Sequence, residues 1–297
     1  MKTATLDFKT VHECNCRLGC RTLHPQAAII DLENRSSIRE TVRFEFYAVL
    51  LTEGDDGCCC GREYYDYSKA AMIFLRPGEI FRMNETRSLP QMGRLLAFHP
   101  DLLLRTTLCN HMDDYTFFRY GKEEALHLSV REKGKVSECL NAIADELAYG
   151  IDGHSRTLIS RYIELLLDYC RRFYERQFIT REDRNKALVG RLDGIIDDYI
   201  RSGALRGGEL PTAEYCAARL GLSPQYMQDM LKFVTGRNLY RYFQEKRMEA
   251  SRRMLVDESV SPASVAERLG FPNVQCFSTI FKRLNGVSPG EYRTSRN

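Results

Sequence analysis

Ala218-Arg219-Leu220-Gly221-Leu222-Ser223 and Glu267-Arg268-Leu269-Gly270-Phe271-Pro272 share an Arg-Leu-Gly core at an offset of 49 residues. Past the turn the offset becomes 50, so that Gln225 falls on Gln275, Lys232 on Lys282 and Gly236 on Gly286. The stretch from Pro211 to Arg293 therefore states one pattern twice, with one residue inserted in the second turn.

Each copy reads as a short helix, a turn at glycine and a longer helix, the outline of a helix-turn-helix. In the first, Thr212 caps a helix running to Leu220, Gly221 takes the left-handed conformation beyond its end, and Ser223-Pro224 supplies the next N-cap and first helical residue. In the second, Ser261-Pro262 opens the first helix, Gly270 follows its end, and Asn273 caps a helix reaching about Asn285 before Gly286. Ser288-Pro289-Gly290-Glu291 has capping-box spacing and starts one more short helix. Leu220, Leu222, Met227, Leu231, Leu269, Phe271, Phe277 and Phe281 recur at core spacing and set the helices at their mutual angle. Between the copies, Asn238 to about Val256 lacks Gly and Pro and reads as one connecting helix. At 1.5 Å per residue it is about 28 Å long, against about 34 Å between successive major-groove faces of B-DNA.

Gly270-Phe271-Pro272-Asn273, Phe277-Ser278, Phe281-Lys282-Arg283, Gly286-Val287-Ser288-Pro289 and Tyr292-Arg293 resemble the signature that closes the DNA-binding domain of AraC/XylS-type transcription regulators. The resemblance covers about 190–297. It implies seven helices, two helix-turn-helix units, double-stranded DNA as partner, and an N-terminal effector or dimerisation domain. RNA polymerase is a further partner if the output is activation.

In a helix-turn-helix the N-terminal part of the second helix faces base edges, from residues three or four apart. That selects Gln225, Gln228 and Asp229 in the first unit and Val274, Gln275, Ser278 and Thr279 in the second. Gln pairs bidentately with adenine, Asp accepts from cytosine N4, and Val or the Thr methyl meets a thymine methyl. Lys232, Arg237, Lys282 and Arg283 lie further along and suit phosphates. Several family members carry Arg where Asp229 and Thr279 stand here, so the second unit is expected to carry more of the specificity.

Of the 297 residues, 43% are hydrophobic and 28% charged, enough to bury two ordinary cores in a soluble chain. No apolar run approaches the roughly 20 residues of a membrane span, and 1–15 lacks the apolar block of a signal peptide. The expectation is a cytoplasmic protein without a membrane partner. The net charge is only +3, but residues 211–297 hold 13 Lys and Arg against 8 Asp and Glu, a local +5 that leaves −2 for the rest.

Eleven cysteines, an odd count, with Cys139, Cys170, Cys216 and Cys276 at core-like positions, point to free thiols. Cys14, Cys16 and Cys20 with His24, and the run Cys58-Cys59-Cys60, are the clusters that could carry metal or redox chemistry; neither has paired metal-ligand spacing. The expectation is no metal, no cofactor and no catalytic residue.

From about 27 to 104 the chain shows short strands and turns: 44–51, 64–67, 71–75 closed by Arg76-Pro77-Gly78-Glu79, and 93–100. This suggests a small antiparallel barrel or sandwich, similar to the cupin-like sensor half of the same regulator family. The fold class is then α+β, with an all-α C-terminal domain. Cupin enzymes carry His-x-His, and here the strand reads Phe44-Glu45-Phe46, with His99 alone. A barrel interior holds a small effector. Phe44, Phe46, Tyr47, Tyr64, Tyr65 and Tyr67 are candidates to line it, and Arg76 or Arg94 to meet an anion.

Val136, Leu140, Ile143 and Leu147 mark an amphipathic helix ending near Gly150. From His154 to Phe178 a longer one presents Leu158, Ile159, Tyr162, Ile163, Leu166, Tyr169, Cys170 and Phe173. Joined at 150–153, they form a hairpin that packs on the barrel and leaves a stripe for a second subunit, the region where the resemblance implies a homodimer. The expected domains are a barrel over 1–130, the hairpin over 131–178, a linker over 179–190 and a DNA-binding domain over 191–297, with units at 211–236 and 261–286. The expected function is promoter regulation in response to a small molecule. The alternatives are a ligand-independent regulator set by abundance or a protein partner, and a cupin-type enzyme fused to a DNA-binding module.

Overall fold

The computed structural model describes residues 5–33, 38, 40–53, 70–82, 89–90, 92–257 and 259–295. Tyr64, Tyr65, Tyr67 and Cys58 to Cys60 lie outside them. The chain divides into two compact units, 1–180 and 181–297.

Unit 1 runs β1 (Thr5–Phe8), α1 (Val11–Arg17), β2 (Ala27–Asp31), β3 (Thr41–Phe44), β4 (Tyr47–Thr52), β5 (Ala71–Leu75), β6 (Ile80–Phe81), β7 (Gly93–Phe98), α2 (Pro100–Leu103), α3 (Thr107–His111), β8 (Leu126–His127), α4 (Val130–Ala148) and α5 (Ser155–Thr180). The strands form two sheets, β1-β3-β6 and β2-β7-β4-β5-β8. The larger sheet is antiparallel throughout, whereas β1 and β3 run parallel.

The expected closed barrel is not what forms: among the described residues both sheets are open. One cause lies in the run 44–51, expected as a single strand. It breaks after Phe44, which pairs with Phe8 in the small sheet, and resumes at Tyr47, which pairs with Phe98 in the large one. At this corner the Glu45 N–H donates to the Phe8 carbonyl at 2.9 Å and the Gly78 N–H to the Phe44 carbonyl at 2.7 Å. A second cause lies at the sheet's ends, where helices take the place of strands. On β8, Gln177 of α5 accepts from the His127 N–H at 2.8 Å and donates to the Ala125 carbonyl at 3.1 Å.

The large sheet is buried on both faces. Ala48, Leu50, Ile73, Leu75, Leu95 and Ala97 share a core with β1, α1 and β3, where Phe8 stacks on Phe44 at 5.4 Å. On the opposite face Phe74 meets Phe117, Phe118 and Tyr174, and Met72 meets Cys170. Gly93 starts β7 at φ +129°, and a Cβ there would fall 1.9 Å from the Leu51 carbonyl oxygen, so the closest approach of β7 to β4 admits only glycine.

The expected helical hairpin is present. Ser129 and Glu132 form a capping box at the start of α4, and Val136, Cys139, Leu140, Ile143 and Leu147 are buried. Asp152 caps α5, accepting from the backbone of His154 and Ser155, both at 2.8 Å. The broad apolar face read on α5 divides: Ile159, Ile163, Leu166, Cys170 and Phe173 are buried, while Leu158 stays 42% exposed and Leu165, which that reading did not include, 47%.

Unit 2 holds α6 (Glu182–Arg201), α7 (Ala213–Leu220), α8 (Pro224–Thr235), α9 (Leu239–Leu255), α10 (Pro262–Arg268), α11 (Val274–Asn285) and α12 (Pro289–Thr294). Much of 179–190, expected as a linker, is instead the first part of α6. Arg181, Asn185 and Leu188 fall on its buried side, so polar residues there masked a helical period. Asp193 of α6 accepts from the Tyr242 hydroxyl at 2.6 Å and the Lys246 ammonium at 2.9 Å, tying α6 to α9.

Candidate nucleic-acid interface

The two repeats fold as repeats because their punctuation is satisfied locally. Thr212, Ser223, Asn238, Ser261, Asn273 and Ser288 each accept, through the side chain, a backbone N–H of the following first turn. Gly221 and Gly270 occupy matching left-handed positions, at φ +72° and +68°. Only the second is crowded, since a Cβ on Gly270 would lie 2.0 Å from the Leu205 carbonyl oxygen. Met227, Leu231, Phe277 and Phe281 are buried as expected, and Leu222 is half-buried.

The remaining faces of α8 and α11 reach the surface, and they differ. On α8, Gln225, Gln228 and Asp229 are half-buried and Lys232 is exposed. Gln225 Nε2 donates to Asp229 Oδ1 at 3.1 Å, and Gln228 Nε2 to the Pro224 carbonyl at 3.4 Å. Arg237 pairs with Glu245 at 2.8 Å. On α11, Val274 and Ser278 are half-buried, while Gln275, Thr279, Lys282 and Arg283 are exposed. Thr279 Oγ1 donates to the Gln275 carbonyl at 2.9 Å. Among the described residues no carboxylate lies within ion-pair distance of Lys282 or Arg283, so the second helix presents two uncommitted cations where the first presents a mixed, internally bonded face. The Ser288 backbone N–H and hydroxyl, with a smaller contribution from Lys282, hold the Glu291 carboxyl below its ordinary range.

One residue that the sequence reading passed over holds the second unit together. Arg247 on α9 is 6% exposed, its guanidinium carbon 3.6 Å from the Phe271 ring centroid, and its Nε donates to the Leu269 carbonyl at 2.6 Å. Burial pulls its pKa down to about 10. The available signal was its spacing, four residues after Phe243 and eight after Leu239 on the buried side of α9.

The effector-pocket candidates in unit 1 have separate surroundings. Phe44 and Phe46 are 0% exposed and pack on each other at 5.3 Å in the core. Tyr47 stacks on Phe98 at 5.0 Å and meets the Phe118 edge, and burial raises its phenol pKa. Arg76 is exposed beside Glu79, and Arg94 donates to Asn141 Oδ1 at 2.6 Å. Tyr65 lies outside the described residues. A shallow space of about 50 Å³ does open beside β2 and α4, lined by Arg21, Leu23, Ala27, Ala28, Ile29, Ala144 and Leu147, none of them a candidate from the sequence.

His99 caps α2, accepting from the Asp101 N–H at 3.2 Å. Cys14 is buried, its thiol pushed up to about 12 chiefly by desolvation, while Cys16 is exposed 3.5 Å from His12 Nε2 and Cys20 is half-buried. Among the described residues no group of three or more His, Cys, Asp or Glu is placed to hold a metal ion, and no helix is long and apolar enough to cross a membrane.

Comparison with known proteins places likenesses on this same stretch. A helix-turn-helix domain family matches residues 216–295. The chain is 29% identical over 85 residues to the HTH-type transcriptional regulator YtdP of Bacillus subtilis, covering 29% of this chain and 11% of that protein. It is 34% identical over 76 residues to the transcriptional regulatory protein YesN of the same organism, covering 25% and 21%. The chain thus spans about a fifth or less of the length of these relatives. A solved transcriptional regulator from Chromobacterium violaceum, described as AraC-type, is 24% identical with a TM-score of 0.28, over 29% of this chain and 76% of that one. Residues 216–295, with their two capped copies and closing signature, form an AraC-type helix-turn-helix domain.

Proposed function

We propose that the chain is a sequence-specific transcription regulator whose helices α8 and α11 enter neighbouring major-groove segments. The observation that carries this is the repeated, capped helix-turn-helix with a polar face at the surface of each second helix. The connecting helix α9, 17 residues long, spans about 26 Å, compatible with readers one helical turn of DNA apart. Gln225, Gln228, Asp229, Val274, Gln275, Ser278 and Thr279 face bases in this reading, and Lys232, Arg237, Lys282 and Arg283 face phosphates. The test is selection of bound fragments from random duplex DNA by the full-length protein, with affinity followed across salt. A bipartite site with half-elements about 10 base pairs apart and a negative salt slope is expected; salt-sensitive binding that enriches no sequence would overturn the claim of specificity.

For unit 1 we propose a sensor that shifts DNA affinity when a small molecule binds one of its states more tightly. It dimerises through the stripe of Leu158, Tyr162, Leu165 and Tyr169 on α5. A second reading, control by abundance or a protein partner, is favoured by the filled core around Phe44 and Phe46, two of the positions expected to line an effector site. Titrating metabolites against affinity for the selected site separates the two readings. Dependence on an added small molecule supports the sensor, and its absence across a broad panel supports the second.

A further inference from the structure

We propose that Asp229 fixes the orientation of the Gln225 amide, so that the first helix-turn-helix unit selects an amino base, adenine or cytosine, over a keto base at one position of its half-element. This rests on the DNA-binding reading above and deepens it.

Gln225 and Asp229 stand one turn apart on α8, joined from Nε2 to Oδ1 at 3.1 Å. The two ends of an amide are told apart by their partners, and a carboxylate only accepts hydrogen bonds. The nitrogen must therefore face Asp229, which turns Oε1 the other way. In the major groove adenine N6 and cytosine N4 are donors, whereas guanine O6 and thymine O4 are acceptors. An outward Oε1 accepts from the first two and meets an acceptor at the others, while the second amide N–H stays beside it as a donor that suits adenine N7 next to N6.

The second copy provides the internal contrast. Gln275 stands where Gln225 does, but Thr279 replaces Asp229 and turns its hydroxyl to the Gln275 backbone carbonyl at 2.9 Å. Among the described residues the Gln275 amide has no carboxylate to set it and can offer either end. The two matched glutamines therefore read by different rules. Gln225 favours amino bases, and Gln275 adapts to its neighbours.

The experiment is sequence selection from random duplex DNA by full-length wild type, Asp229→Ala, and the double variant Gln225→Glu with Asp229→Ala, with Gln275→Ala marking which half-element belongs to α11. Wild type is expected to favour A or C over G and T by about fivefold or more at one position of the α8 half-element. Asp229→Ala is expected to abolish that restriction and leave the α11 half-element unchanged. The double variant, whose introduced carboxylate is acceptor-only by itself, is expected to restore it. Retention of the restriction in Asp229→Ala, or a keto base favoured at every α8 position by wild type, overturns the proposal while the DNA-binding reading stands. Absence of any enriched sequence overturns both. A helix pair that merely stabilised α8 would change affinity without changing base identity.

Discussion

The guanidinium of Arg247 lies 3.6 Å from the ring centroid of Phe271 and donates to the carbonyl of Leu269, so one side chain of α9 grips both sides of the second turn. Replacing Arg247 by Ala removes a stacked, largely buried side chain and orphans a carbonyl. The expected loss in unit 2 stability is about 2 kcal/mol, with a smaller loss for Lys, which keeps a charge but not the planar fork. Urea unfolding of the two variants beside wild type measures it.

The matched glycines of the two turns should behave unequally. Gly221→Ala meets nothing within 4 Å and suffers only the left-handed backbone, about 1 kcal/mol. Gly270→Ala suffers the same strain and drives a Cβ into the Leu205 carbonyl, so more than about 2 kcal/mol is expected. Equal melting temperatures for the two variants would contradict the crowding at Gly270.

The cap of α5 should depend on pH. The backbone N–H of His154, then the hydroxyl and N–H of Ser155, hold the Asp152 carboxyl below its ordinary value of 3.8. A lowered folded pKa means that the stabilisation is complete above the unfolded value and is lost as pH falls through the folded one. Amide chemical shifts of His154 and Ser155 should therefore show a step below about pH 4. In Asp152→Asn, which caps without titrating, that step should vanish.

On α11 the two exposed cations have a direct signature. Lys282→Ala and Arg283→Ala should each weaken binding by a similar factor on every sequence and flatten the log–log salt slope by about 0.9. Gln275→Ala should leave that slope unchanged and relax base preference in its own half-element. Affinity measured at several salt concentrations on matched and mismatched duplexes distinguishes these outcomes.

The C-terminal unit was legible because its instructions are local. A Ser-Pro pair, a capping Asn or a glycine past a helix end each acts on a few neighbouring bonds, and Thr212 through Ser288 all do what their residue types dictate. Unit 1 was less legible because its large sheet is covered on both faces, so β4, β5 and β7 are continuous apolar runs without alternation. In such a run nothing marks where Phe44 leaves one sheet and Tyr47 joins another. The start of α6 was misread for the opposite reason: Arg181 and Asn185 are polar yet inward, and a reading by polarity places them in a linker. Gln225 and Asp229 were each visible as candidate readers, four residues apart, but the direction of the amide between them is a property of the contact.

The corner at Glu45 and Phe46 turns chain length into a structural constraint. β3 on one side is registered against β1, and β4 on the other against both β5 and β7. Adding or deleting one residue here would leave β3 in place and slide β4 by half a pleat, exchanging Ala48 and Leu50 with Val49 and Leu51 between two closed cores of different shape. Solvent would accept neither set, and neither core has room to trade. Side chains at this corner are open to exchange for others of like size, while the count of residues between Phe44 and Tyr47 is not.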